Sequence, residues 1–196
     1  HKRFTDIAGK ERERKLYYLT NNNLRPNGYK KYEISNYSKP GKECKHNIGY
    51  WQRKEYLGFG IGAASLYKEN RYNNISDINK YIEVLTNNIK ENSINNVENS
   101  SEVENQVNIL NSIVKNLQQL TERDRMEEFM FLGLRMMEGV SMEKFERYFG
   151  KPYMEVYGKV QKKMEDKRFL INDNGYVKLT EFGIDLSNYV MSEFLF

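Results

Sequence analysis

Apolar and polar positions split the chain into two stretches on either side of residues 87–106, a run of Asn, Glu and Ser with few large apolar side chains. Such a run buries too little surface to fold alone, so it reads as a mobile loop or linker. Three segments follow: residues 1–86, a variable polar linker or helix at 87–118, and a carboxy-terminal domain at 119–196.

In the first segment, Leu16, Leu19 and Leu24 mark one face of a helix that stops at the turn Arg25-Pro26-Asn27-Gly28. Residues 29–35 set Tyr29, Lys31 and Glu33 against Lys30, Tyr32 and Ile34, the alternation of a half-buried strand. A Pro-Gly turn follows at Pro40-Gly41. Residues 55–67 read as a buried strand followed by a tight backbone passage at the glycines. Ser76 is placed to cap a helix carrying Ile78, Tyr81, Ile82 and Leu85.

The last segment is richer in signals. Thr121 and Asp124 form a capping-box pattern before Met126, Phe129, Met130, Leu132, Leu134 and Met137, an apolar face that stops at Gly139. Met126, Met130, Met136 and Met137 suit core filling better than metal binding. Two more helices, over 141–150 and from Pro152 onward, precede a hairpin turning at Asn174-Gly175, and a last helix spans 181–195. Three helices and a hairpin are the order of a winged-helix domain, so the fold class is α+β, mostly helical. In such a domain the helix after Pro152 would enter a DNA groove with its first residues. Those are Tyr153, Met154, Glu155, Val156 and Tyr157, which look like packing, and Lys159, Lys162, Lys163 and Lys167 come too late along the helix.

Composition narrows the chemistry. A net charge of +4 is spread as mixed Lys and Glu pairs rather than a block, so nucleic acid is disfavoured as a partner. No apolar run reaches the ~18–20 residues that cross a bilayer, and the amino terminus lacks a signal-peptide core. With a single cysteine this suggests a cytoplasmic protein. One cysteine and two histidines cannot build an iron–sulfur cluster and nearly exclude a zinc site, so no metal site is expected within the chain. Cys44 and His46 would share one face of a strand, but at a separation of about 6.5 Å, too long for a direct dyad.

Two features remain. Gly58, Gly60 and Ala63 match G-x-G-x-x-A, but the helix and downstream acid of a dinucleotide site are missing, which leaves glycines that let backbone approach either another strand or a flat ligand. His46, followed by Tyr50 and Trp51, is either a half-buried histidine among core aromatics or an axial ligand to haem iron with aromatic rings beside the porphyrin.

The blocks YEISNYSKPGKECKHNIGYW, YLGFGIGAAS, MEEFMFLGLRMMEGVS and LTEFGIDLSNYVMSEFL resemble, in this order, the carboxy-terminal half of the oxygen-independent coproporphyrinogen III oxidases, radical S-adenosylmethionine proteins of porphyrin metabolism. The pattern H-N-x-x-Y-W at His46, Asn47, Tyr50 and Trp51 is closer to that family's haem-chaperone branch. The resemblance implies the last strands of an incomplete radical-enzyme (β/α) barrel followed by a helical domain of winged-helix character. It implies a haem contact at His46 with Asn47, Tyr50 and Trp51 around it. It places Gly58, Gly60, Ile61 and Ala63 beside the S-adenosylmethionine and substrate space. Ala64 stands where many relatives have a histidine, so any role of that histidine is absent.

The family's C-x-x-x-C-x-x-C motif, which holds a four-iron cluster and S-adenosylmethionine, does not occur in the chain, so these residues alone would be catalytically silent. The partners implied are an amino-terminal radical-enzyme half, haem or porphyrin, and a haem-accepting protein. Barrel strand edges left open would favour self-association. The reading from another class is a stand-alone winged-helix module that binds protein or DNA.

Overall fold

The computed structural model of the protein describes residues 2–94 and 112–196. The chain folds into two compact units, residues 1–53 with 122–196, and residues 54–121. Composition marks a variable stretch in the chain, whereas compactness marks which segments pack together, and the two divisions fall at different places.

The first unit opens with α1 (Lys2–Leu24), which passes into a single 3-10 turn at Arg25–Asn27 and stops at Gly28 in the left-handed region (φ +80°). The strand expected over 29–35 shrinks to β1 (Lys30–Lys31), paired antiparallel with β2 (Tyr37–Ser38). The cause is a tight reversal. Tyr32 N–H donates to the Asn36 carbonyl, and the Glu33 carboxylate accepts from Ser35 N–H and from the Asn36 amide. Glu33 and Ile34 are therefore both buried, against the expected alternation.

Next comes α2 (Lys45–Trp51). The unit then resumes with α4 (Glu122–Gly133), starting directly after Thr121, and continues through β6 (Val140–Ser141), α5 (Met142–Phe149) and α6 (Tyr153–Asp166). The hairpin β7 (Leu170–Asp173) and β8 (Tyr176–Leu179) adds to β6 in the order β6-β8-β7, all antiparallel. Its turn has φ +52° at Asn174 and φ +82° at Gly175, the pair of left-handed residues that a two-residue hairpin demands. The single helix expected over 181–195 is two, α7 (Glu181–Asp185) and α8 (Ser187–Ser192). The break comes at Leu186 (φ −116°), and Val190 and Met191 beyond it are fully buried.

Caps follow the chemistry of the sequence. Ser141 Oγ accepts from Lys144 N–H at 3.2 Å and Thr180 Oγ1 from Gly183 N–H at 2.9 Å. The core gathers Met126, Met130, Leu134, Phe145, Phe149, Tyr153, Tyr157, Met164 and Phe194, so Met126 and Met130 do fill the interior, while Met137 is half-buried against it. Phe145 meets Tyr153 edge to face with centroids 5.5 Å apart, and Tyr157 and Phe194 lie 5.4 Å apart.

The Tyr153 and Tyr157 hydroxyls are buried without a hydrogen-bond partner, and burial drives both phenol pKa values well above the ordinary 10. An unpaired buried hydroxyl costs about 1–3 kcal/mol, so Tyr153→Phe is expected to leave stability unchanged or raise it by about 1 kcal/mol. Urea denaturation checks this, and a loss of more than 1 kcal/mol would mean that the hydroxyl is paired.

The second unit holds β3 (Ala64–Tyr67), β4 (Asn70–Asn74), α3 (Ile78–Ile94) and β5 (Val114–Gln119), with an antiparallel sheet in the order β3-β4-β5. The expectation for 55–67 is corrected in its order: the glycine passage precedes the strand. Leu57, Phe59 and Ile61 are exposed rather than buried, Phe59 at 88%. Lys68 and Glu69, both at positive φ, make the β3–β4 turn. Asp77, not Ser76, caps α3, its carboxylate accepting from Lys80 N–H at 3.0 Å. Residues 87–94 of the polar run are helical; its remainder, 95–106, lies outside the described residues. β5 occupies 114–119, all but its last residue in the stretch read as linker or helix. Among the described residues no helix is long and apolar enough to cross a membrane.

Candidate functional site around helix α2

Residues 45–51 were expected to be extended and are instead two turns of helix. Cys44 sits at the amino-terminal cap in extended conformation, Ile48 N–H donates to its carbonyl at 3.0 Å, and Gln52 N–H closes the last turn on Ile48. The strand geometry assumed for Cys44 and His46 therefore does not apply. The helix ends at Arg53, whose φ of +55° puts a side-chain-bearing residue where glycine is usual. Arg53 is held there by its side chain, only 5% exposed, which bonds Glu128 on α4 at 2.9 Å and the Tyr148 hydroxyl on α5 at 3.1 Å.

The inner face of α2 is fastened at two further points. Asn47 Nδ2 donates to the Tyr32 hydroxyl at 3.2 Å. Trp51 lies under the Arg135 guanidinium, 4.3 Å from ring centroid to its central carbon. Arg135 in turn donates to Glu33 Oε2 at 3.3 Å, and Glu33 is completely buried. The backbone repeats the connection, with Ile34 N–H donating to Arg135 O at 3.0 Å and Met137 N–H to Tyr32 O at 3.1 Å.

With that face fastened, His46 and Tyr50, four residues apart, share the outer face. Both are exposed, and their rings meet edge to face with centroids 4.8 Å apart. The His46 ring makes no hydrogen bond with the described residues. The arrangement is an accessible imidazole braced by one aromatic edge on a helix that the core holds still. Nearby, under β1, the Tyr17 hydroxyl donates to Ile34 O and accepts from Lys31. Burial, helped by the neighbouring Tyr37 and Asp185, pushes the Tyr17 phenol up to about 12, and burial lowers the Lys31 pKa.

Gly58, Gly60, Ile61 and Ala63 belong to the second unit. Gly58 N–H donates to Ser65 Oγ at 2.9 Å, and Asn74 Nδ2 donates to the carbonyls of Gly58 and Gly60 at 3.1 and 2.8 Å. A Cβ on Gly58 would fall on the Ala64 carbonyl, so here the backbone approaches its own strand. Gly60 (φ +93°) and Gly62 (φ +66°) face open space and serve the turn. Ala63 is followed by a strand, not the helix a dinucleotide motif needs. Sequence reasoning missed Ser65, Asn74, Glu33, Arg53 and Arg135, whose parts depend on distant residues. Among the described residues no cluster of three or more His, Cys, Asp or Glu is placed to hold a metal.

Residues 120–186 match the HemN C-terminal domain family. The chain is 31% identical over 189 residues to the heme chaperone HemW of Lactococcus lactis subsp. lactis and 29% identical over 189 residues to that of Bacillus subtilis. Each alignment covers 96% of this chain and 44% of the relative. The structure of coproporphyrinogen III oxidase (HemN) from Escherichia coli, a radical SAM enzyme, superposes with a TM-score of 0.61 at 13% identity, covering 90% of this chain and 39% of that one. The chain belongs to the HemN/HemW family and corresponds to its carboxy-terminal part. It spans less than half the length of these relatives.

Proposed function

We propose that this chain is the haem-holding part of a cytoplasmic haem chaperone, and that His46 gives its imidazole to the iron as an axial ligand. The observation that carries the reading is the exposed His46–Tyr50 pair on the fastened helix α2. Haem iron takes an axial donor such as a histidine imidazole, which must be within its reach, and an aromatic ring beside that donor offers a surface to the apolar macrocycle. Tyr50 supplies the edge, while Asn47 and Trp51 are turned inward to hold the helix. Two of the relatives are named as heme chaperones, which supports the choice of cargo.

In this reading residues 1–86 contain the last strands of a radical-enzyme barrel, 87–118 is a variable connection, and 119–196 is a domain of winged-helix character. Gly58, Gly60, Ile61 and Ala63 face the S-adenosylmethionine and substrate space of the longer protein. S-adenosylmethionine and a four-iron cluster belong to an amino-terminal half. The chain's one cysteine does not fit a cluster. Haem then passes to an acceptor protein.

Haem titration followed by visible absorption tests the proposal. The expected result is a saturable Soret shift in the wild-type chain that is lost in His46→Ala. The same spectra and affinity in both would refute it.

A further inference from the structure

We infer that Arg135 is a positioning residue for the haem-facing helix: laid on Trp51 and tied to the buried Glu33, its guanidinium sets where α2 presents His46. The inference rests on the haem reading above and goes beyond it, because Arg135 lies 84 positions past Trp51 in the chain and on no face shared with His46.

Trp51 is held by the face of its ring. Its Nε1 is buried without a hydrogen-bond partner, so no hydrogen bond from the indole fixes the ring. The flat face against Arg135 remains, with the cation centred 4.3 Å away. Arg135 Nε is also buried without a partner, so the guanidinium spends its directed bonding on Glu33 and its flat face on Trp51. Glu33 cannot follow a displaced arginine, since its other oxygen is committed to Ser35 N–H at 2.8 Å and to the Asn36 amide at 2.7 Å. The position of the cation is thus set by the 33–36 turn, and the position of Trp51 by the cation. Trp51 is the last residue of a helix only two turns long, with His46 on the opposite side, so a tilt at one end moves the other.

A lysine at 135 keeps the charge for Glu33 but loses the planar surface, which makes Arg135→Lys the informative substitution. The paired variant E33Q/R135Q removes both charges together and leaves no buried ion alone, so it guards against a simple failure to fold. Trp51 is the chain's one tryptophan, and its emission reports the stack with or without haem.

The experiment measures Trp51 emission and acrylamide quenching, then the haem dissociation constant and Soret position, for wild type, R135K, E33Q/R135Q and H46A. The expected result is shifted emission and greater quenching in R135K and in the pair, cooperative unfolding retained, and haem affinity weakened roughly two- to thirtyfold with a displaced Soret band. Unchanged emission in R135K would overturn the inference, because the stack would not set the ring. Haem binding that H46A abolishes but R135K leaves intact would overturn it while sparing the proposed function. Binding that survives H46A would remove both, a pattern distinct from the previous one.

Discussion

Glu33→Ala should destabilise the first unit by about 3–5 kcal/mol, the cost of removing one partner from a buried ionic cluster. The carboxylate is fully buried and accepts from three donors: Ser35 N–H, the Asn36 amide and the Arg135 guanidinium. Alanine removes the acceptor from all three, and it leaves Arg135, whose side chain is only 20% exposed, with its charge uncompensated. Glu33→Gln keeps an acceptor for the turn and should cost only about 1–2 kcal/mol, by loss of the charge-assisted bond. Urea denaturation read by Trp51 fluorescence separates the two. A loss below 1 kcal/mol in the alanine variant would show that the cluster is not a support of α2.

The second large effect falls in the other unit. Gly58→Ala should cost about 3 kcal/mol, the upper range for overpacking, because the new methyl would displace the Ala64 carbonyl and open the Tyr56–Leu66 bridge beside it. Gly60→Ala meets no neighbour and pays only for its left-handed backbone, about 1–2 kcal/mol. Hydrogen exchange at the Tyr56 and Leu66 amides, each bonded to the other residue's carbonyl, reads the difference locally. Equal protection in the two variants would mean that Gly58 is not needed for backbone approach.

The carboxy-terminal elements were legible because they obey two strong signals. Met126 and Met130 with Phe145 and Phe149 repeat at helical spacing, and Asn174-Gly175 has only one economical backbone geometry. Strands β4 and β5 were illegible for the opposite reason. β5 has no buried face, and β4 is Asn-Arg-Tyr-Asn-Asn, so neither shows an apolar alternation to read. Helix α2 is two turns long with Gly49 inside it, too short for periodicity to separate it from a strand.

The site was half legible. Its residue types drew notice to His46 and Tyr50, but the sequence could not say that they face outward together, since that depends on the helix. Neither could it place Glu33 in the interior, because alternation put it on the polar side with Lys31. Burial there comes with the 33–36 reversal, and it is completed by Arg135 from about 100 residues away, a partner that no local pattern announces.

The central claim is that His46 is the haem contact, and the chain's two histidines make it directly testable. NMR of the chain with isotopically labelled histidine, titrated with ferric haem, observes both rings at once. The account predicts that the His46 signals shift or broaden away at one equivalent of haem while those of His1 persist. Unperturbed His46 signals alongside saturable haem binding would place the cargo elsewhere and contradict the account.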